Sequence, residues 1–118
     1  VVIVLGLVVG VVALSELASN TATAAVLAPI LIGVGPRYAD ALGTTGTGAA
    51  VFLAVTGAVA ASFGFALPVA TPPNAIAFGT GRIERDDMLY AGLALDAVMA
   101  LVAAGSLFFL FRFVLSFG

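Results

Sequence analysis

Long apolar runs dominate this chain, and polar residues break them at only a few points. The charged positions are Glu16, Arg37, Asp40, Arg82, Glu84, Arg85, Asp86, Asp87, Asp96 and Arg112. They leave apolar blocks over 1–15, 17–36, 41–81 and 88–111, the last interrupted by Asp96. Inside the blocks lie two polar islands, Ser19-Asn20-Thr21-Ala22-Thr23 and Ala70-Thr71-Pro72-Pro73-Asn74. Both are rich in residues that cap or break helices. A bilayer core penalises each unpaired backbone polar group by several kcal/mol, so helix breaks there need protein or a water-filled cavity to satisfy them. Two such breaks in a short chain point to a binding site for a polar solute within the membrane.

Segment lengths set the expected topology. A spanning helix needs ~20 residues to cross ~30 Å. Residues 1–17 as helix reach ~25 Å and residues 21–35 only ~22 Å. Two short helices with a polar tip between them read as a re-entrant hairpin over 1–35; the alternative is two short spans with a loop at Ser19–Thr23. A connecting loop follows over 36–48, with Gly35 suited to a helix end and Pro36 expected to block continuation. Residues 49–81 form one helix too many for a single span, ~50 Å if unbroken. The Pro-Pro pair resolves the excess: one helix is expected to end near Ala70 and the next to begin near Pro73. A polar loop over 82–87 and a last transmembrane helix over 88–112 complete an all-α membrane fold. The aromatics Phe108, Phe109, Phe111, Phe113 and Phe117 suit lipid or packing contacts near its end.

Composition agrees and excludes several classes. Mean hydropathy is +1.28, and charged residues make up 8% of the chain, against about 25% in soluble domains. There is no Cys or His, hence no disulfide framework, thiolate chemistry or imidazole base. No nucleophile–base pair, metal-ligand spacing or phosphate loop suggests an enzyme. No basic face suggests nucleic acid. The arginines split evenly between the two expected sides and do not orient the chain. The start, Val1-Val2-Ile3, lacks a Met and a basic n-region; it reads as a truncation, the chain being the C-terminal end of something longer.

The two islands carry opposite partial charges. A helix N-terminus offers free N–H groups and about +0.5 charge, a C-terminus free carbonyls and about −0.5. The helices starting at Ser19–Thr21 and Thr71–Asn74 are suited to one anionic solute. The carbonyl ends near Ala18 and Ala70, with Ser15 and Asn20, are suited to a hard cation such as Na⁺. The bland reading is that Ser, Asn and Thr merely tie helices together and that Pro-Pro is a structural kink. Glu16, one turn before the first island, is expected either to orient the cation or to pair with a group elsewhere in a longer protein. Asp96 is an intramembrane carboxylate, by default a sign of function, or of a partner outside the chain.

The stretches Glu16-Leu17-Ala18-Ser19-Asn20-Thr21-Ala22-Thr23-Ala24 and Leu67-Pro68-Val69-Ala70-Thr71-Pro72-Pro73-Asn74-Ala75-Ile76-Ala77-Phe78-Gly79 resemble the C-terminal half of the divalent anion/sodium symporter family, the sodium-coupled dicarboxylate, citrate and sulfate transporters. The resemblance covers nearly the whole chain. It implies part of the second inverted repeat of a secondary transporter, with its partner repeat outside this chain. It implies substrate contacts from Ser19, Asn20, Thr21, Thr71 and Pro72, and a sodium site from Ser15, Ala18, Asn20 and Ala70. It further implies a multi-pass protein of the cell inner (plasma) membrane, a homodimer, working by an elevator-like shift. Asp96 departs from the family, where a neutral residue such as Asn is expected, and Gly43–Gly48 is unusually rich in glycine. The expected function is sodium-coupled import of a small divalent anion, most simply a C4-dicarboxylate such as succinate. The alternatives are a sodium-independent anion exchanger and a non-transporting structural membrane subunit.

Overall fold

The computed structural model describes residues 1–114. Phe117 lies outside them. Among the described residues all regular structure is helical: α1 (Val2–Leu17), α2 (Asn20–Val34), a 3₁₀ turn (Gly35–Tyr38), α3 (Ala39–Leu42), α4 (Gly46–Ala60), α5 (Pro72–Gly79), α6 (Arg85–Phe109) and a π-helical turn (Leu110–Val114). α2 packs mainly on α4, and α1 lies against both α4 and α6.

The buried stripe of each long helix follows helical spacing although the sequence is apolar all round. On α1 it is Val4, Val8, Val11, Val12, Ser15 and Glu16; on α4 it includes Ala49, Phe52, Leu53, Thr56 and Ala60; on α6 it is Gly92, Asp96, Ala100, Ala103 and Ala104. Small residues mark the α6 face, while Leu93, Val98, Leu101, Val102 and Phe109 point outward. This suits helices that meet in lipid, where burial in protein gains little over burial in acyl chains and close backbone approach decides the contact. Phe52 and Phe111 stack at 4.2 Å between ring centroids, joining α4 to the π-helical turn that follows α6.

Two elements differ from expectation. The stretch read as a loop over 36–48 is helical as far as Leu42 and again from Gly46, where α4 begins; Asn20–Leu42 is a continuous run of 23 residues. Pro36 does not stop it. Pro36 lies in the first turn of the 3₁₀ segment, where it costs the run a single backbone donor, and the backbone passes through Gly35 in ordinary right-handed geometry. The stop comes at Gly43, whose φ of +67° is the left-handed cap that glycine adopts without penalty. The second difference is larger. The helix expected to reach Ala70 ends at Ala60, and residues 61–71 are unwound. Gly64 and Pro68 weaken the helix there, and Pro68 also disfavours helical geometry at Leu67.

α5 then begins at Pro72, with both prolines in its first turn and the Thr71 side chain capping it. Three residues of the expected polar loop, Arg85, Asp86 and Asp87, belong to the start of α6. Two acidic side chains in that first turn favour the positive end of the helix dipole. Residues Arg85–Phe113 run 29 residues and contain an 18-residue stretch of mean hydropathy 2.2, long and apolar enough to cross a bilayer.

Candidate functional site

The unwound segment 61–71 is held by side chains from three helices. Ser15 of α1 places its hydroxyl 2.8 Å from the Ala61 carbonyl and 2.6 Å from Asn20 Oδ1, so its single proton serves one acceptor at a time. Asn20, at the first turn of α2, donates from Nδ2 to the Ser62 carbonyl at 3.2 Å. Glu16 accepts from two backbone amides, Ala66 N–H at 2.9 Å and Leu67 N–H at 2.8 Å, one on each oxygen. Asn74 of α5 donates from Nδ2 to the Gly64 carbonyl at 3.2 Å and to the Leu67 carbonyl at 3.0 Å. Backbone groups freed by the break therefore find polar partners, as an apolar surrounding demands.

These contacts gather around Gly64. A Cβ built on it would lie 3.4 Å from Asn20 Oδ1, 3.4 Å from the Ala70 side chain and 3.6 Å from the Ser15 carbonyl oxygen. Ser15 and Ala70 are buried, at 0% and 3% exposure. The cluster collects neutral oxygens from a hydroxyl, an amide side chain and the backbone, the donor set a hard monovalent cation takes. Of the residues singled out in the sequence, Ser15, Asn20 and Ala70 meet here. Ala18 does not share their burial: it is the exposed, extended link between α1 and α2. The carbonyl beside Gly64 is that of Ser15, one turn earlier.

The helix starts flank this cluster. Ser19 caps α2, its hydroxyl accepting from Ala22 N–H at 3.1 Å. Thr71 caps α5, accepting from Asn74 N–H at 3.3 Å. Ser19, Thr21 and Pro72 are exposed and Thr71 is half-buried. Asn20 and Thr21 line an open hollow of about 510 Å³ with Ala24, Ala58, Ala61 and Ser62. This is a small-walled, polar-floored recess at the positive end of a helix.

Sequence reasoning missed Ala61, Ser62 and Gly64, which supply the third wall. Their signal was present: a Ser, a Gly and a Pro close together in an apolar run too long for one helix. For Glu16 sequence reasoning offers the cation or a partner elsewhere in a longer protein, whereas the Ala66 and Leu67 amides of this chain donate to that carboxylate. α6 reaches the segment at Gly92. A Cβ there would run into the backbone of Phe65 and Ala66.

The family described as "Sodium:sulfate symporter transmembrane region" matches residues 1–115. An "Uncharacterized transporter" of Haemophilus influenzae is 43% identical over 91 residues, covering 77% of this chain and 18% of that protein. The "Sodium-dependent dicarboxylate transporter SdcS" of Staphylococcus saprophyticus is 37% identical over 115 residues, covering 92% of this chain and 20% of that protein. The "Na(+)/dicarboxylate cotransporter 3" of Rattus norvegicus is 37% identical over 89 residues, covering 75% of this chain and 13% of that protein. The chain thus spans a fifth or less of the length of these relatives. No solved structure matches it. The family is one of integral membrane transporters, not of enzymes. With its helical fold and a match over almost its full length, the chain belongs to the sodium:sulfate symporter transmembrane family.

Proposed function

We propose that this chain forms one half of the solute site of a sodium-coupled symporter for small divalent anions, C4-dicarboxylates such as succinate in the first place. The observation that carries the reading is the cluster of Ser15, Asn20 and Ala70 around Gly64, beside two capped helix starts. In this reading Na⁺ takes oxygens from Ser15, Asn20 and the backbone at Ala18 and Ala70. The anion takes the N-termini of α2 and α5, through Ser19, Asn20, Thr21, Thr71 and Pro72. The names of relatives from one bacterium and one mammal support sodium and dicarboxylate as the solutes.

Coupling follows from shared parts. Asn20 belongs to both sets, and Ala70 and Thr71 are consecutive. A cation that orders the unwound segment also fixes the start of α5 for the anion. The anion's charge in turn is opposed by the cation at short range, which matters in a low-dielectric surrounding. Each solute therefore binds more tightly in the presence of the other. We read the full protein as a homodimer in which a partner repeat completes the site and an elevator-type shift carries it across the membrane.

Uptake of labelled succinate by the full-length protein in vesicles tests this directly. It should require external Na⁺ and fall to background when K⁺ replaces it. Equal uptake in the two salts would remove the symport mechanism. If counterflow against internal dicarboxylate then persisted, the sodium-independent exchanger would replace it.

α1 and α2 are read as a re-entrant hairpin, with the Ala18–Ser19 link at its tip. α1 has 16 residues, ~24 Å of helix and short of a full crossing. The Asn20–Leu42 run is long enough to cross, so the two readings separate experimentally. A single cysteine at Ala18 should be shielded from an impermeant thiol reagent when Na⁺ and succinate are present, and one at Val2 should not. Ready labelling of the Ala18 cysteine from the side opposite Val2, whatever the solute, would mean two full spans and refute the hairpin.

A further inference from the structure

Asn74 is not among the residues of either proposed solute site, yet it is hydrogen-bonded to members of both neighbourhoods. It is the third residue of α5 and is half-buried. All three of its N–H donors are engaged. The backbone N–H donates to Thr71 Oγ1 at 3.3 Å. The side-chain amide donates to the Gly64 carbonyl at 3.2 Å and to the Leu67 carbonyl at 3.0 Å. Carbonyls only accept, so the amide meets them with its NH2 group. No donor is left for an anion. Asn74 is therefore not a ligand; its bonds run to residues that place the ligands.

Gly64 is the residue around which Ser15, Asn20 and Ala70 gather. Among the described residues no other hydrogen bond reaches its carbonyl. The Leu67 carbonyl closes the turn that presents Ala70, since it also accepts from Ala70 N–H at 3.1 Å. Leu67 N–H is held from α1 by Glu16, at 2.8 Å. One planar amide thus ties the Gly64 peptide and the Ala70 turn to the first turn of α5. The covalent path from Ala70 to Thr71 has rotatable dihedrals on either side of the peptide, and by itself it does not fix how α5 sits against the cluster.

We propose that Asn74 is the positioning residue that couples the cation cluster to the anion-binding start of α5, by making the Gly64 peptide, the Ala70 turn and the Thr71 cap move together. The role rests on the symport reading above. A cation drawn to the cluster fixes Gly64 and Ala70, and Asn74 passes that order to Thr71 and Pro72. An anion at the start of α5 passes order the other way, as linkage requires. Without the amide, the Gly64 carbonyl loses its donor and its peptide is free to turn. Each site then keeps its own ligands and loses the influence of the other.

The test is calorimetric binding of succinate to the purified full-length protein, in Na⁺ and in K⁺, for wild type, Asn74→Ala and Ile76→Gly. The ratio of the two dissociation constants measures the coupling, which in such systems runs from about 5- to 150-fold. The wild type should bind succinate more tightly in Na⁺. In N74A the ratio should fall by roughly 10-fold, or to unity, for the two hydrogen bonds removed. Affinity in K⁺ should stay near that of the wild type. Ile76 is an exposed position of the same helix, and glycine there loosens α5 without touching the amide. I76G should melt earlier and keep the wild-type ratio. A ratio in N74A equal to wild type overturns the proposal and leaves the symport reading standing. An equal fall in I76G overturns it too, because any loosening of α5 would then uncouple the sites. A wild-type ratio of one removes the symport reading and the coupling with it. If N74A does not fold, hydrogen exchange on the wild type decides. Succinate in K⁺ should slow exchange over 61–67 as well as over 72–79, and protection confined to 72–79 overturns the link.

Discussion

Replacing Asn20 by alanine in the full-length protein should abolish sodium-dependent uptake while leaving membrane insertion intact. Asn20 is the one side chain that belongs to both proposed solute sites. Its Oδ1 lies against Ser15 and Gly64, and its Nδ2 holds the Ser62 carbonyl. A hydrogen bond to a charged group contributes about 1.5–3 kcal/mol, so losing a contact to each solute lowers uptake by roughly 100-fold or more. The structural cost is smaller. Two hydrogen bonds between neutral groups are removed at a half-exposed position, at about 0.5–1.5 kcal/mol each. The variant should therefore reach the membrane at near wild-type abundance. Raising Na⁺ should recover little activity, because the anion site is damaged by the same change. Uptake of N20A within a few-fold of wild type, with an unchanged Na⁺ requirement, would refute the assignment of this cluster.

The second large effect concerns the fold. Gly92→Ala should destabilise the protein, and Gly92→Val should prevent α6 from docking. The α6 backbone crosses the unwound segment at Gly92 so closely that any Cβ meets the backbone of Phe65 and Ala66. Backbone cannot swing aside as a flexible side chain can, so the helix or the segment must shift. Overpacking of this kind costs about 1–3 kcal/mol for a methyl and more for a branched side chain. Gly105→Ala on the same helix is the control, because nothing lies within 4 Å of its added Cβ. There the exchange gains helix propensity, up to about 1 kcal/mol. Thermal unfolding of the full-length protein in detergent should order the three variants as Gly105→Ala, then Gly92→Ala, then Gly92→Val, from most to least stable. Equal melting of the two alanine variants would mean that α6 does not approach the segment as described. The contact has a functional side: a shift at Phe65 and Ala66 reaches the neighbouring Gly64, so under the proposed sodium site G92A should also lose Na⁺ affinity.

Much of the candidate site was legible in the sequence because its residues break rules that membrane helices obey. Ser19-Asn20-Thr21 and Thr71-Pro72-Pro73-Asn74 are capping and breaking residues inside apolar sequence. In lipid the backbone cannot fall back on water, so such residues mark where a helix ends. The Thr71 cap and the prolines in the first turn of α5 are local features, set by residues within one turn of each other. The width of the break was not local. Residues 61–70 could have continued α4. They unwind where Glu16, Ser15, Asn20 and Asn74 offer their backbone groups partners from other elements. Propensity alone, with one Gly and one Pro in ten residues, does not decide between the two outcomes.

The sequence by itself determined that this is an all-helical membrane chain, where its two polar islands lie, and which family it resembles. Composition and length settle the first, and backbone chemistry in lipid settles the second. Only the tertiary structure decided which faces of α1, α4 and α6 are inside, that the helical run begun by α2 continues through Pro36 to Leu42, and that Glu16 and Asp96 line one recess. The reason is that a uniformly apolar helix has no amphipathic signal to read. In a bilayer Leu and Val are as well placed against lipid as against protein. The inner face is chosen by close approach of small residues and by the few polar groups that need one another, and those pairings join positions 50 and more residues apart.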